Sequence, residues 1–260
     1  MWTAGVWAAV VLSGAIGLSL GLIGGGGSII TVPVLIYVAG LPVREAVALS
    51  LAVVGTTAAV GAIFQARDGN VHGKAAFLYG GTGMVGAAIG ARLTPLVPAP
   101  VLLTLFAALM IWVGLRMARG RSEEGDLPQR AECVAWKCAL AGLVIGTLTG
   151  FLGVGGGFLI VPALLRFAKM RMPLAIGTSL VIIAVNSAAG FAAHLSDVQS
   201  GMSLVLAFTA AALVGLFAGM RLGKRMKPQR LKTVFGAVSL AVAAYLIAMN
   251  LGPLWALMTH

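Results

Sequence analysis

Two glycine runs, Gly24 to Gly27 and Gly153 to Gly157, interrupt otherwise apolar sequence, and each is followed by a proline, Pro33 or Pro162. A helix must break at such a run, because glycine gains little from helical geometry. Broken helices at membrane depth leave backbone amides unpaired, which is tolerable only where protein or a wet cavity satisfies them. Amides at a helix start carry partial positive charge, so the chemistry they offer is reception of an anion. The competing reading is close helix packing, for which glycine is also used in membranes.

Polar side chains at comparable places in the two halves come next. Ser50 pairs with Ser179, Thr57 with Asn186 and Gln65 with His194, with Thr56, Thr178 and Ser187 as neighbours. These groups could hydrogen-bond anion oxygens, although a Ser or Thr in a membrane helix commonly bonds its own preceding carbonyl. Asn186 is the exception and the strongest single candidate. His194 could sense pH or contact a headgroup. The seven acidic residues, Glu45, Asp68, Glu123, Glu124, Asp126, Glu132 and Asp197, fall at span ends or in the central linker. A buried cation site or a carboxylate proton relay is not expected. With no ligand-spaced histidine pair and no paired Asp motif, neither an enzyme nor a cofactor or metal site is expected.

The elements that must position these groups follow from composition. Hydrophobic residues make up 60% of the 260 positions and charged residues 10%, far more apolar than a soluble domain. The apolar stretches approach the roughly 20 helical residues a bilayer crossing needs, so the chain reads as an all-α polytopic membrane protein. Ten segments are predicted, at about 6–23, 29–39, 45–66, 75–93, 99–117, 134–152, 158–168, 174–195, 202–221 and 231–250. The second and seventh are too short to span and read as halves of broken or re-entrant units. Met1 to Val10 carries no basic residue, so the first apolar stretch reads as a retained helix rather than a cleaved signal.

Sliding the sequence by 129 positions lays Gly21 to Pro33 on Gly150 to Pro162, and also matches Leu35 to Leu164, Gly61 to Gly190, Asp68 to Asp197, Gly86 and Gly90 to Gly215 and Gly219, and Arg92 to Arg221. The chain therefore divides into a first repeat over 1–117, a linker over 118–133 and a second repeat over 134–260. Alternating the loops between two sides collects all of the 18 Lys and Arg residues except Arg44 and Arg92 on one side, which the positive-inside rule makes cytoplasmic. Both termini then lie on the periplasmic side. An odd number of crossings per half inverts the second repeat relative to the first.

The net charge of +11 is spent on topology and headgroup contact, so the partners expected are the lipid bilayer and a small anionic substrate, not nucleic acid; a homodimer is left open. Cys133 and Cys138, beside a basic cytoplasmic loop, are expected as free thiols. The Gly86–Gly90 and Gly215–Gly219 spacings read as helix-packing devices. Arg44 and Arg92 read as anchors or as an outer lure for anions.

Through Gly24-Gly-Gly-Gly-Ser-Ile-Ile-Thr-Val-Pro33, Ala48-Leu-Ser-Leu51, Gly153-Val-Gly-Gly-Gly-Phe-Leu-Ile-Val-Pro162 and Gly177-Thr-Ser-Leu180, the chain resembles the sulfite exporter TauE/SafE family of membrane transporters over about residues 10–250. That resemblance implies a permease for sulfite, sulfonates or related small oxyanions in the bacterial cytoplasmic membrane. Carried onto this sequence, it points to Gly26, Gly27, Ser28, Ser50, Gly155, Gly156, Gly157 and Ser179 as substrate-binding positions, with Thr57 and Asn186 as the unlike pair that could set selectivity. Ser28 is replaced by Gly157 in the second half, so the two lobes cannot contact a ligand identically. The function expected is secondary transport by alternating access; the alternative is an anion channel or membrane subunit without it.

Overall fold

The computed structural model describes residues 4–25, 27–93, 99–119, 135–152, 157–193 and 202–258. These form α1 (Ala4–Ile23), α2 (Gly27–Pro33, continued by a π-helical turn over Val34–Val38), α3 (Val43–Arg67), α4 (Gly73–Leu93), α5 (Ala99–Arg119), α6 (Ala135–Leu152), α7 (Gly157–Phe167), α8 (Met172–Ala193), α9 (Met202–Arg225) and α10 (Pro228–Met258). Among the described residues four stretches are long and apolar enough to cross a membrane: Glu45–Arg67, Met172–Ala192, Leu204–Arg225 and Pro228–Ala248. The protein is an all-α polytopic membrane protein. Large apolar side chains point outward as readily as inward: Val11, Phe77 and Val214 are 75%, 80% and 72% exposed, as lipid-facing positions should be. The predicted linker lies almost wholly outside the described residues, as does His194.

The two short predicted segments are α2 and α7. In α2, Pro33 sits inside the helix; its missing N–H and its ring disturb the regular ladder, and the turn that follows is π-helical, with Ala39 N donating to Val34 O at 3.1 Å. The same local architecture then recurs 129 positions on. Gly40 has φ +71° and its mate Lys169 has φ +46°, the one non-glycine residue with positive φ among those described. Leu41 N donates to Leu35 O at 3.0 Å and Met170 N to Leu164 O at 3.3 Å, both one turn past a helix end. Ala46 N donates to Pro42 O at 2.8 Å and Ala175 N to Arg171 O at 2.9 Å. Each of these pairs is one bond made twice.

The helices pack across the halves rather than within them. The dominant pairs are α4 with α6, α1 with α9, α5 with α10 and α3 with α8. A shift of 129 exchanges α1 with α6 and α4 with α9, so the first two pairs are images of each other. The last two are each their own image. In lipid no hydrophobic drive joins helices, so close backbone approach through small residues must supply the attraction. A Cβ on Gly17 would strike the Ala212 carbonyl, and one on its mate Gly146 would strike the Gly83 carbonyl. A Cβ on Gly86 would strike Leu143 O, and one on Gly215 would strike Gly14 O. Gly61 meets the Leu180 side chain at 3.1 Å, as Gly190 meets Leu51 at 3.2 Å. Gly86, Gly215 and Gly219, which the sequence offers as packing positions, make such close backbone approaches.

At one end of the bundle Lys224 Nζ lies 2.6 Å from Asp68 Oδ2, both solvent-accessible. One expectation is corrected nearby: Cys138 is disulfide-bonded rather than free. The chain's other cysteine, Cys133, lies outside the described residues. Compartment alone does not decide the state of a thiol, because bonding depends first on two thiols being held within reach.

Candidate functional site

The first glycine break is tied to the second half by Ser179. Gly24 closes α1 with φ +76° and its N–H donates to Leu20 O at 2.8 Å. The fully buried Ser179 hydroxyl faces the Gly24 carbonyl at 2.6 Å and its own-helix Ile176 carbonyl at 2.7 Å. A side chain at Gly24 would meet Ser179 Oγ at 2.7 Å and Ile176 Cα at 2.8 Å, so glycine is required there by both conformation and space. The neighbouring motif residues are also spent on structure. Gly177 admits the Asn70 carbonyl, and Thr178 Oγ1 accepts from His72 N at 3.0 Å, seating the α3–α4 connection against α8.

Of the remaining predicted positions, Gly26, Gly155 and Gly156 lie outside the described residues. Gly27 opens α2, buried against α1, where a Cβ would meet Ile16 O at 2.6 Å. Ser28 follows it in α2, and Gly157 opens α7, buried. The helices that these glycines begin, α2 and α7, touch one another. Ser50 donates to Val47 O at 2.8 Å and Thr57 to Val53 O at 2.6 Å, each within its own helix. Their hydroxyls are committed in this state.

Asn186 is placed differently. Its Oδ1 is buried without a hydrogen-bond partner, and so is the hydroxyl of Tyr79, a side chain only 2% exposed. Both line one small cavity of about 10 Å³ between α4, α6, α7 and α8, with Gly83, Gly142, Gly146, Ile145, Ile160 and Ile182 as its other walls. That volume is about what a single water needs. Leaving a buried polar group unpaired costs about 1–3 kcal/mol, so two at one cavity are unused hydrogen-bonding capacity at that place. Tyrosine offers an O–H, and the Asn terminal amide can turn to present its N–H₂. Two potential donors then line one cavity whose walls include three glycines.

Tyr79 was not among the residues the sequence singled out. Its mate is Phe208, and a search for matched polar pairs passes over a position where only one copy is polar. Among the described residues two further buried side-chain oxygens lack partners: Ser19 Oγ on α1 and Glu45 Oε1 in the first turn of α3. Glu45 does sit at a span end, where helix amides favour its charge, but it is only 7% exposed. Among the described residues no group of His, Cys, Asp and Glu is placed to hold a metal ion.

The family model described as Sulfite exporter TauE/SafE matches residues 9–246. The chain belongs to the sulfite exporter TauE/SafE family. It is 34% identical over 242 residues to a probable membrane transporter protein of Xylella fastidiosa strain Temecula1, covering 90% of this chain and 92% of that one. It is 24% identical over 224 residues to the probable membrane transporter protein YdhB of Bacillus subtilis strain 168, covering 84% and 90%. No solved structure matches. The family match spans both repeats and both short helices, so the TauE/SafE relationship covers the frame and the cavity together.

Proposed function

We propose that this TauE/SafE protein is a secondary transporter that carries a small anion, a sulfur oxyanion such as sulfite or an organosulfonate, across the bacterial cytoplasmic membrane by alternating access. The observation that carries the reading is the pair of unpartnered buried groups, Tyr79 Oη and Asn186 Oδ1, on one cavity between the two halves. A hydroxyl and a carboxamide with no carboxylate among the lining residues favour an anion over a cation. The cavity of about 10 Å³ is too small for sulfite, which fits a state closed around no substrate. Opening requires the halves to part along the α4–α6 or α1–α9 seams, and the repeat makes these seams interchangeable. With the second repeat inverted and both termini periplasmic, rocking about the self-image pairs α3–α8 and α5–α10 would expose the site to each side in turn. The amides of the glycine breaks, at Gly26, Gly27, Gly155, Gly156 and Gly157, with Ser28, Ser50, Thr57 and Ser179 nearby, would complete the anion's shell once the halves move.

The test is uptake of radiolabelled sulfite, sulfate, taurine and acetate into proteoliposomes, with and without a proton gradient, for the intact protein and Gly156→Leu. Saturable flux of one sulfur anion, lost in the variant while the protein stays folded, is expected. Full transport by Gly156→Leu would remove the glycine breaks from the site, and flux of none of the four would refute the substrate class.

A further inference from the structure

A second cavity is much larger than the one that Tyr79 and Asn186 line. It lies between α5, α6, α7 and α10, has a volume of about 560 Å³, and falls within the range of about 300–1,000 Å³ of ordinary ligand pockets. Its walls are mainly apolar, among them Leu109, Val113, Val144, Leu148 and Leu159. Three cations join them: Arg116 in the last turn of α5, Arg166 in the last turn of α7 and Lys232 near the start of α10. No Asp or Glu is among the lining residues. Positive charge is thus gathered at the helix ends around one mouth, and hydrocarbon lines the space beyond it.

The repeat shows that this charge is not needed to build the frame. Shifted by 129, Arg116 falls on Tyr245 and Arg166 on Tyr37. Those tyrosines pack edge to face, with ring centroids 6.4 Å apart. At the equivalent place in the other half, two half-exposed rings meet each other. Here two guanidinium groups border an open cavity, with Arg116 drawn over the Trp112 ring at 5.4 Å.

We propose that this cavity is a binding site for one anionic phospholipid, its phosphate held between Arg116, Arg166 and Lys232 and an acyl chain laid along the apolar wall. A basic opening between membrane helices is the arrangement that recognises acidic headgroups, and arginine suits phosphate by its forked donors. A small transported oxyanion would find too little polar surface in the apolar part. The site shares no polar side chain with the Tyr79–Asn186 cavity, so it stands or falls separately from the transport reading.

The experiment is native mass spectrometry of the full chain released from phosphatidylcholine nanodiscs that contain a minor fraction of phosphatidylglycerol. One retained phosphatidylglycerol per protein is expected. Retention should fall by about tenfold or more in the double variant Arg116→Gln, Arg166→Gln. It should persist in the equally discharged control Arg221→Gln, Arg225→Gln. Ala163→Phe, which fills the cavity and keeps its charge, should also exclude the lipid. Equal loss in both double variants, equal retention of phosphatidylcholine, or displacement by millimolar sulfite would overturn the proposal. So would retention that arises only when Glu123, Glu124 and Asp126 are neutralised, because the acidic linker would then be the natural occupant, and so would a dimer that occupies the cavity in place of lipid.

Discussion

The Tyr79–Asn186 cavity and its counterpart 129 positions away occupy the same place in the frame and have been finished in opposite ways. At the counterpart, Phe208 replaces Tyr79, Thr57 replaces Asn186 and Ser13 replaces Gly142. Ser13 Oγ donates to Phe208 O at 2.8 Å and Thr57 Oγ1 to Val53 O at 2.6 Å, so these side-chain hydroxyls have partners. At the Tyr79 site the hydroxyl bonded to the backbone is gone, a glycine stands in its place, and two polar groups remain unpaired. Two places related by the 129-residue offset are thus finished differently, and under the proposed function that difference is what leaves the Tyr79 side open to a ligand.

The largest expected effect tests the equivalence of the frames. Gly17→Leu and Gly146→Leu each force a side chain into a backbone carbonyl of the facing helix. Overpacking of this kind costs about 1–3 kcal/mol or more. Both variants should lose monodisperse protein on size exclusion to a similar degree; tolerance of one alone would break the symmetry of the two seams.

Next in size is the difference between the half-sites. Asn186→Ala should weaken apparent affinity for the transported anion by about tenfold or more, since hydrogen bonds to charged groups contribute about 1.5–3 kcal/mol. Thr57→Val should change it by less than about twofold, because its hydroxyl is bonded within its helix. Equal effects in concentration-dependent uptake would erase the distinction. Tyr79→Phe, which makes the open site resemble the closed one, should cost about three- to tenfold, and no change would take Tyr79 out of the site.

The smallest effect concerns the paired turns. Gly40→Ala places a side chain at φ +71°, where no atom obstructs it, so the cost is backbone strain of about 1 kcal/mol. The melting temperature should fall by about 2–4 °C. Lys169→Ala, at a position that already bears that strain, should shift it less.

Much of the frame was legible because it is built from residues with few alternatives. The 129-residue offset, the short helices after each glycine run and the glycines that seat α1 on α9 and α4 on α6 all rest on residues that are small or cannot donate. The π-helical turn after Pro33 was not legible, because its mate Pro162 is followed by ordinary helix: the same residue permits both outcomes. Ser50, Thr57 and Ser179 were visible as polar residues, but whether a hydroxyl serves a ligand or a carbonyl depends on a neighbour that sequence does not place. Tyr79 was hidden for a deeper reason. It shares a cavity with Asn186 only because α4 packs on the other half, and its mate Phe208 is apolar, so unlike Asn186, whose mate is Thr57, it belongs to no polar pair.

The central claim is that one small-anion site between the halves is presented to the two sides in alternation. Counterflow tests it most directly: proteoliposomes loaded with unlabelled sulfite are diluted into a trace of labelled sulfite, and internal label is followed with time. The account predicts a transient accumulation of label above the outside concentration, built up about tenfold or more slowly in Asn186→Ala at the same trace level. Label that only equilibrates, in parallel with unsaturable anion current, would contradict alternating access and make the protein a channel.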